Sequence, residues 1–71
     1  MISREKVQEA TDRVATKIRE TKGRGLKANT KVFIRVEARR LRIPSSDWAD
    51  FFKNVGQELS ARADVAGSTA A

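Results

Sequence analysis

Trp48, Phe51, Phe52, Val55 and Leu59 recur at intervals of three and four residues, and no other stretch of the chain restricts the fold as tightly. Side chains spaced in this way line one face of an α-helix. The stripe therefore predicts a helix over residues 46–62 whose aromatic face must be covered by the rest of the chain. Three aromatics on one helical stripe belong in a core rather than on a platform for stacking bases. Gly56 lowers the helix propensity of this segment by about 1 kcal/mol relative to alanine, and burial of the aromatic face offsets that loss. Pro44 fixes where the helix can begin, because proline ends the preceding element and pushes Ile43 toward an extended backbone. Ser45 or Ser46 is then placed to cap the new helix, with Asp47 where the helix dipole favours a negative charge.

Two upstream segments can supply the cover. Residues 4–21 form an amphipathic pattern in which Val7, Ala10, Val14 and Ile18 make one narrow apolar stripe. Ser3 is positioned as its cap, and Ile2 and Val7 stand where a hydrophobic staple would put them. Glu5, Glu9, Asp12, Arg13 and Glu20 fall on the other face, and their mixed signs suit a solvated surface. Gly23 and Gly25 close the helix. The following loop, Lys22 to Lys27, carries three positive charges and no negative one, and its glycines do not have the spacing of a phosphate-binding loop.

Residues 31–42 admit two descriptions. Val32, Ile34, Val36 and Ala38 alternate with Phe33, Arg35, Glu37 and Arg39, as in a strand. No other segment offers a partner for one, so a strand here implies a β-ribbon formed between two chains. As a helix, the same residues place Lys31, Arg35, Arg39 and Arg42 within about 80° of one another and bring Glu37 within pairing distance of Arg40. The helix is the expected form, capped by Asn29 or Thr30. The outcome is an all-α, three-helix domain over residues 1–63, with residues 64–71 expected to be a disordered tail. Its expected core is Val7, Val14, Ile18, Leu26, Phe33, Val36, Leu41, Ile43, Trp48, Phe51, Phe52, Val55 and Leu59.

Composition narrows the chemistry. With 71 residues, no histidine and no cysteine, the chain has no disulfide, no thiolate or imidazole metal site and no Cys-His or Ser-His nucleophile. Asp47, Asp50 and Glu58 are carboxylates best explained by helix starts and solvated faces, and so short a chain builds no deep pocket. The expectation is a protein that is not an enzyme and carries no cofactor. A chain of this length buries only about 60% of its unfolded surface, which favours a homodimer. The longest apolar run, Val32 to Ile34, is too short to span a membrane, and the expected location is the cytoplasm. A helix lying on a lipid surface is disfavoured because the aromatic helix is acidic.

Charge points to a partner. Residues 1–43 hold 13 Lys+Arg against 5 Asp+Glu, whereas residues 44–71 hold 2 against 4. An excess this local attracts polyanions, of which nucleic acid is the default. In addition, the spacing Ala38, Leu41, Ile43, Ser45, Trp48, Phe51 resembles that of helix-turn-helix units over Arg35 to Lys53, although Arg42 stands where such turns usually have glycine. The resemblance implies that the second of the two helices reads a groove, yet Asp50 lies in the middle of that surface and most of the positive charge lies on the helix before it. The middle helix is therefore favoured as the approaching element. The candidate contacts are Lys22, Arg24, Lys27, Lys31, Arg35, Arg39, Arg40, Arg42, Ser46 and Lys53. The expected function is nucleic-acid binding, DNA before RNA, by a regulator or accessory factor of bacterial, phage or plasmid type. The alternative is an inhibitor or adaptor whose basic face docks on an acidic protein.

Overall fold

The structure is a computed structural model that describes residues 2–62, and the tail expected at 64–71 lies outside them. Helix α1 spans Arg4–Gly23, α2 spans Thr30–Arg40, and a single 3-10 turn at Ser45–Asp47 leads into α3, Trp48–Ala61. No strand occurs among the described residues, so the β-ribbon form of residues 31–38 is set aside. Each helix packs against the other two around one core.

Local chemistry sets most of the boundaries. The Ser3 hydroxyl accepts from the Lys6 N–H at 3.1 Å, and the Asn29 side chain accepts from the Val32 N–H at 3.3 Å, so both of the first two helices start on a side-chain cap. Their ends share one geometry. At the end of α1, Leu26 N–H donates to Thr21 C=O at 3.1 Å and Gly25 N–H to Lys22 C=O at 2.9 Å, with Gly25 at φ 77°. At the end of α2, Ile43 N–H donates to Ala38 C=O at 2.9 Å and Arg42 N–H to Arg39 C=O at 3.1 Å, with Arg42 at φ 56°. Both are Schellman closures, which require one left-handed residue. The second closure stops α2 at Arg40 rather than at residue 42, so Arg42 leaves the register of Lys31, Arg35 and Arg39. It also turns Ile43 inward, where it is buried.

The start of α3 differs from the expectation. Ser45, Ser46 and Asp47 form the 3-10 turn, with Asp47 N–H donating to Pro44 C=O at 2.8 Å, and no side chain caps α3. The corner is held instead by the Trp48 indole, whose Nε1–H donates to the Ile43 carbonyl at 2.8 Å. Trp48 also stacks on Phe52, with centroids 6.3 Å apart.

The core consists of Val7, Ala10, Val14, Ala15 and Ile18 from α1, Ile34 and Ala38 from α2, Ile43, and Phe51, Val55 and Leu59 from α3. Phe33, Leu41, Trp48 and Phe52 line its margin. Two expected members lie outside it: Leu26 is 60% exposed and Val36 is 44% exposed. Leu26 belongs to the closure that follows α1. Val36 faces out because α2 presents Ile34, Ala38 and Glu37 inward instead. That orientation is fixed by charge. Glu37 is fully buried, and its Oε1 accepts the Arg40 Nε–H at 3.0 Å and lies 3.1 Å from Arg13 Nε in an ion pair, while Lys17 Nζ stands 3.9 Å from Oε2.

Candidate nucleic-acid interface

Glu37 is the one acidic residue of α2, and its burial against α1 determines what the opposite side of the helix displays. Around the helix, Lys31, Arg35, Arg39, Val32 and Val36 occupy an arc of about 140°. All five are exposed, with Val32 at 43% and Val36 at 44%. The arc contains three cations, two valines and no carboxylate. None of the three cations forms an ion pair with a described residue, so their charge is uncompensated.

Further cations lie at the two ends of this helix. Arg24 and Lys27 are exposed in the loop that leads to the Asn29 cap, and Arg42 is exposed in the closure just past Arg40. Lys22 is also exposed, in the last turn of α1. The helix and its two flanking turns thus form one continuous basic stretch of chain. Ser46 and Lys53 are exposed as well, but they belong to the 3-10 turn and α3, where Asp50 is exposed between them in sequence.

Arg40 has a different role. Its guanidinium donates to Glu9 Oε2 and to Glu37, joining α2 to α1. Hydrogen bonding to Glu9, and then to Glu37, raises its pKa above the usual arginine value. Its charge is already matched within the fold, so Arg40 does not contribute to the uncompensated arc. The mixed-charge face of α1 is exposed as expected, and three of its members also reach other elements: Glu9 pairs with Arg40, Arg13 pairs with Glu37, and Asp12 Oδ1 accepts from Arg62 at 2.6 Å, past the end of α3. Isolated helix patterns do not reveal these pairs because each partner lies in another element. Only the Glu37–Arg40 contact, three residues apart, is visible locally.

A shallow cleft between the start of α1 and the end of α3 is lined by Ile2, Arg4, Val7, Asn54, Gln57, Glu58 and Ala61. Among the described residues no group of three acidic side chains could hold a metal ion, and no helix is long and apolar enough to cross a membrane. No family model, curated protein or solved structure matches the chain.

Proposed function

We propose that this protein binds nucleic acid, with duplex DNA preferred to RNA, as a small regulator or accessory factor acting as a homodimer. One observation carries the reading: the outward arc of α2 bears Lys31, Arg35 and Arg39 with no acid among them, because the helix's own carboxylate is buried on the other side. Arg24 and Lys27 before the helix and Arg42 after it extend the same positive stretch. Arginine's planar fork suits both phosphate oxygens and guanine edges.

Arg42 holds the left-handed position of the α2 closure at φ 56°, with its side chain exposed. Four phosphates neutralised by Lys31, Arg35, Arg39 and Arg42 give a slope of about −3.6 in log K against log salt on duplex DNA. A dimer doubles that number of contacts. The HTH-like spacing of α2 and α3 is compatible with this reading, with α2 as the approaching helix.

Electrophoretic mobility and fluorescence anisotropy with duplex DNA, single-stranded DNA and RNA across a salt series provide the test. Salt-sensitive binding with duplex DNA tightest supports the proposal. Absence of salt-sensitive binding to all three refutes it and directs attention to an acidic protein partner.

A further inference from the structure

The outward arc of α2 carries more than charge. Val32 and Val36 stand one helical turn apart, and Arg35 and Arg39 are likewise one turn apart beside them. Val32 and Val36 lie along one edge of the cations, so the arc sets an apolar strip next to a basic one. Three occupants suit a face of this kind: a second copy of the chain, an acidic amphipathic segment of another protein, or the floor of a DNA major groove.

A second copy is disfavoured by charge, since apposed α2 arcs would bring Lys31, Arg35 and Arg39 of two chains together with no carboxylate between them. An acidic segment would find arginine anchors in Arg35 and Arg39 but no tryptophan or tyrosine on this arc, so only part of the usual anchor set of protein interfaces is present. The major groove fits all five residues. It admits one α-helix, offers guanine N7 and O6 to arginine, and displays the thymine C5-methyl as an apolar contact. Lys31 to Arg39 spans about 12 Å of helix, enough to follow a few base pairs. The basic turns at either end of α2 are then placed for the phosphates that border the groove.

We propose that α2 is a reading helix that docks in the major groove of duplex DNA, with Arg35 and Arg39 contacting guanine edges and Val32 and Val36 contacting thymine methyls. This rests on the nucleic-acid-binding reading given above and adds to it a base-edge preference for steps containing both guanine and thymine. It also assigns that preference to α2 rather than α3.

The test is fluorescence anisotropy on a 20-base-pair alternating d(GT)·d(AC) duplex and on the same duplex with every thymine replaced by deoxyuridine, which removes only the C5-methyl. The wild-type chain and the Val32→Ser/Val36→Ser variant are compared on both, and circular dichroism and sedimentation follow the fold and association state of each protein. Each buried methyl contributes about fourfold in affinity, so wild type should bind the thymine duplex about tenfold or more tighter than the deoxyuridine duplex. The serine variant should retain its helicity, keep its salt-sensitive binding and lose the discrimination. Equal, salt-sensitive binding of wild type to both duplexes overturns the base-reading role while leaving phosphate binding intact. Loss of salt-sensitive binding to every nucleic acid overturns both proposals together. A dimer that becomes monomeric in the serine variant identifies the arc as a contact between copies and overturns the reading role.

Discussion

Replacing Arg42 by glycine should make the protein more stable and its nucleic-acid binding weaker. Arg42 is the left-handed residue of the closure that ends α2, at φ 56°. That conformation costs a residue with a side chain about 1–2 kcal/mol, and glycine escapes the penalty. Glycine also loosens the unfolded chain, which takes back about 0.4–1 kcal/mol. The net gain is about 0.5–1 kcal/mol, which for a domain of this size raises the melting temperature by about 2–8 °C. Thermal and urea unfolding followed by circular dichroism measure this term. On the binding side, loss of one phosphate contact should flatten the salt slope by about 0.9. Arg42→Asn serves as a control, because asparagine tolerates the left-handed region better than arginine and also removes the charge. A lower melting temperature for the glycine variant would show that the arginine side chain outweighs its backbone strain. An unchanged salt slope would remove Arg42 from the interface.

Other substitutions probe the fold and the arc separately. Phe51→Ala removes the largest fully buried side chain and should cost about 3–5 kcal/mol, leaving a largely unfolded chain by circular dichroism at 25 °C. A methyl group added at position 56 meets no atom within 4 Å, so Gly56→Ala should stabilise α3 by about 0.5–1 kcal/mol, read from the urea midpoint. Glu37→Gln keeps the shape but removes the charge that Arg13, Lys17 and Arg40 surround, and should cost about 1–2 kcal/mol, less than an ordinary buried ion pair because those three partners reach solvent. Glu37→Met, which also removes the need for polar partners, should fall within about 1 kcal/mol of wild type by the same unfolding assay. Arg35→Ala with Arg39→Ala should flatten the salt slope by about 1.8 while leaving the melting temperature within a few degrees, as expected for exposed residues without partners.

The architecture was legible where a single segment carries its own signal. The stripe from Trp48 to Leu59 yields α3, the Ser3 and Asn29 caps give two helix starts, and Gly25 marks the closure of α1. Legibility failed on the rotation of α2. That helix carries Val32, Phe33, Ile34 and Val36 on several sides, so apolar content does not select which side turns inward. The choice is made by Glu37, whose cationic partners Arg13 and Lys17 lie about twenty residues earlier in the sequence, on α1. Once Glu37 points to α1, Ile34 is buried and Val36 is not. A separate pair has a similar effect next door: Arg40 is grouped with Arg39 and Arg42 by sequence, yet it faces Glu9 on α1. Ser45 and Ser46, whose residue type suits a helix cap, instead enter one tight 3-10 turn after Pro44, and no side chain caps α3.

Trp48 is the sole tryptophan, and the chain has no tyrosine. Because its indole is tied to the Ile43 carbonyl at the junction of α2 and α3, the protein carries a built-in optical probe at that corner. Excitation near 295 nm selects this one side chain, so its emission reports whether the joint between the basic helix and the aromatic helix is intact. A ligand that shifts α2 relative to α3 would register there without any attached dye.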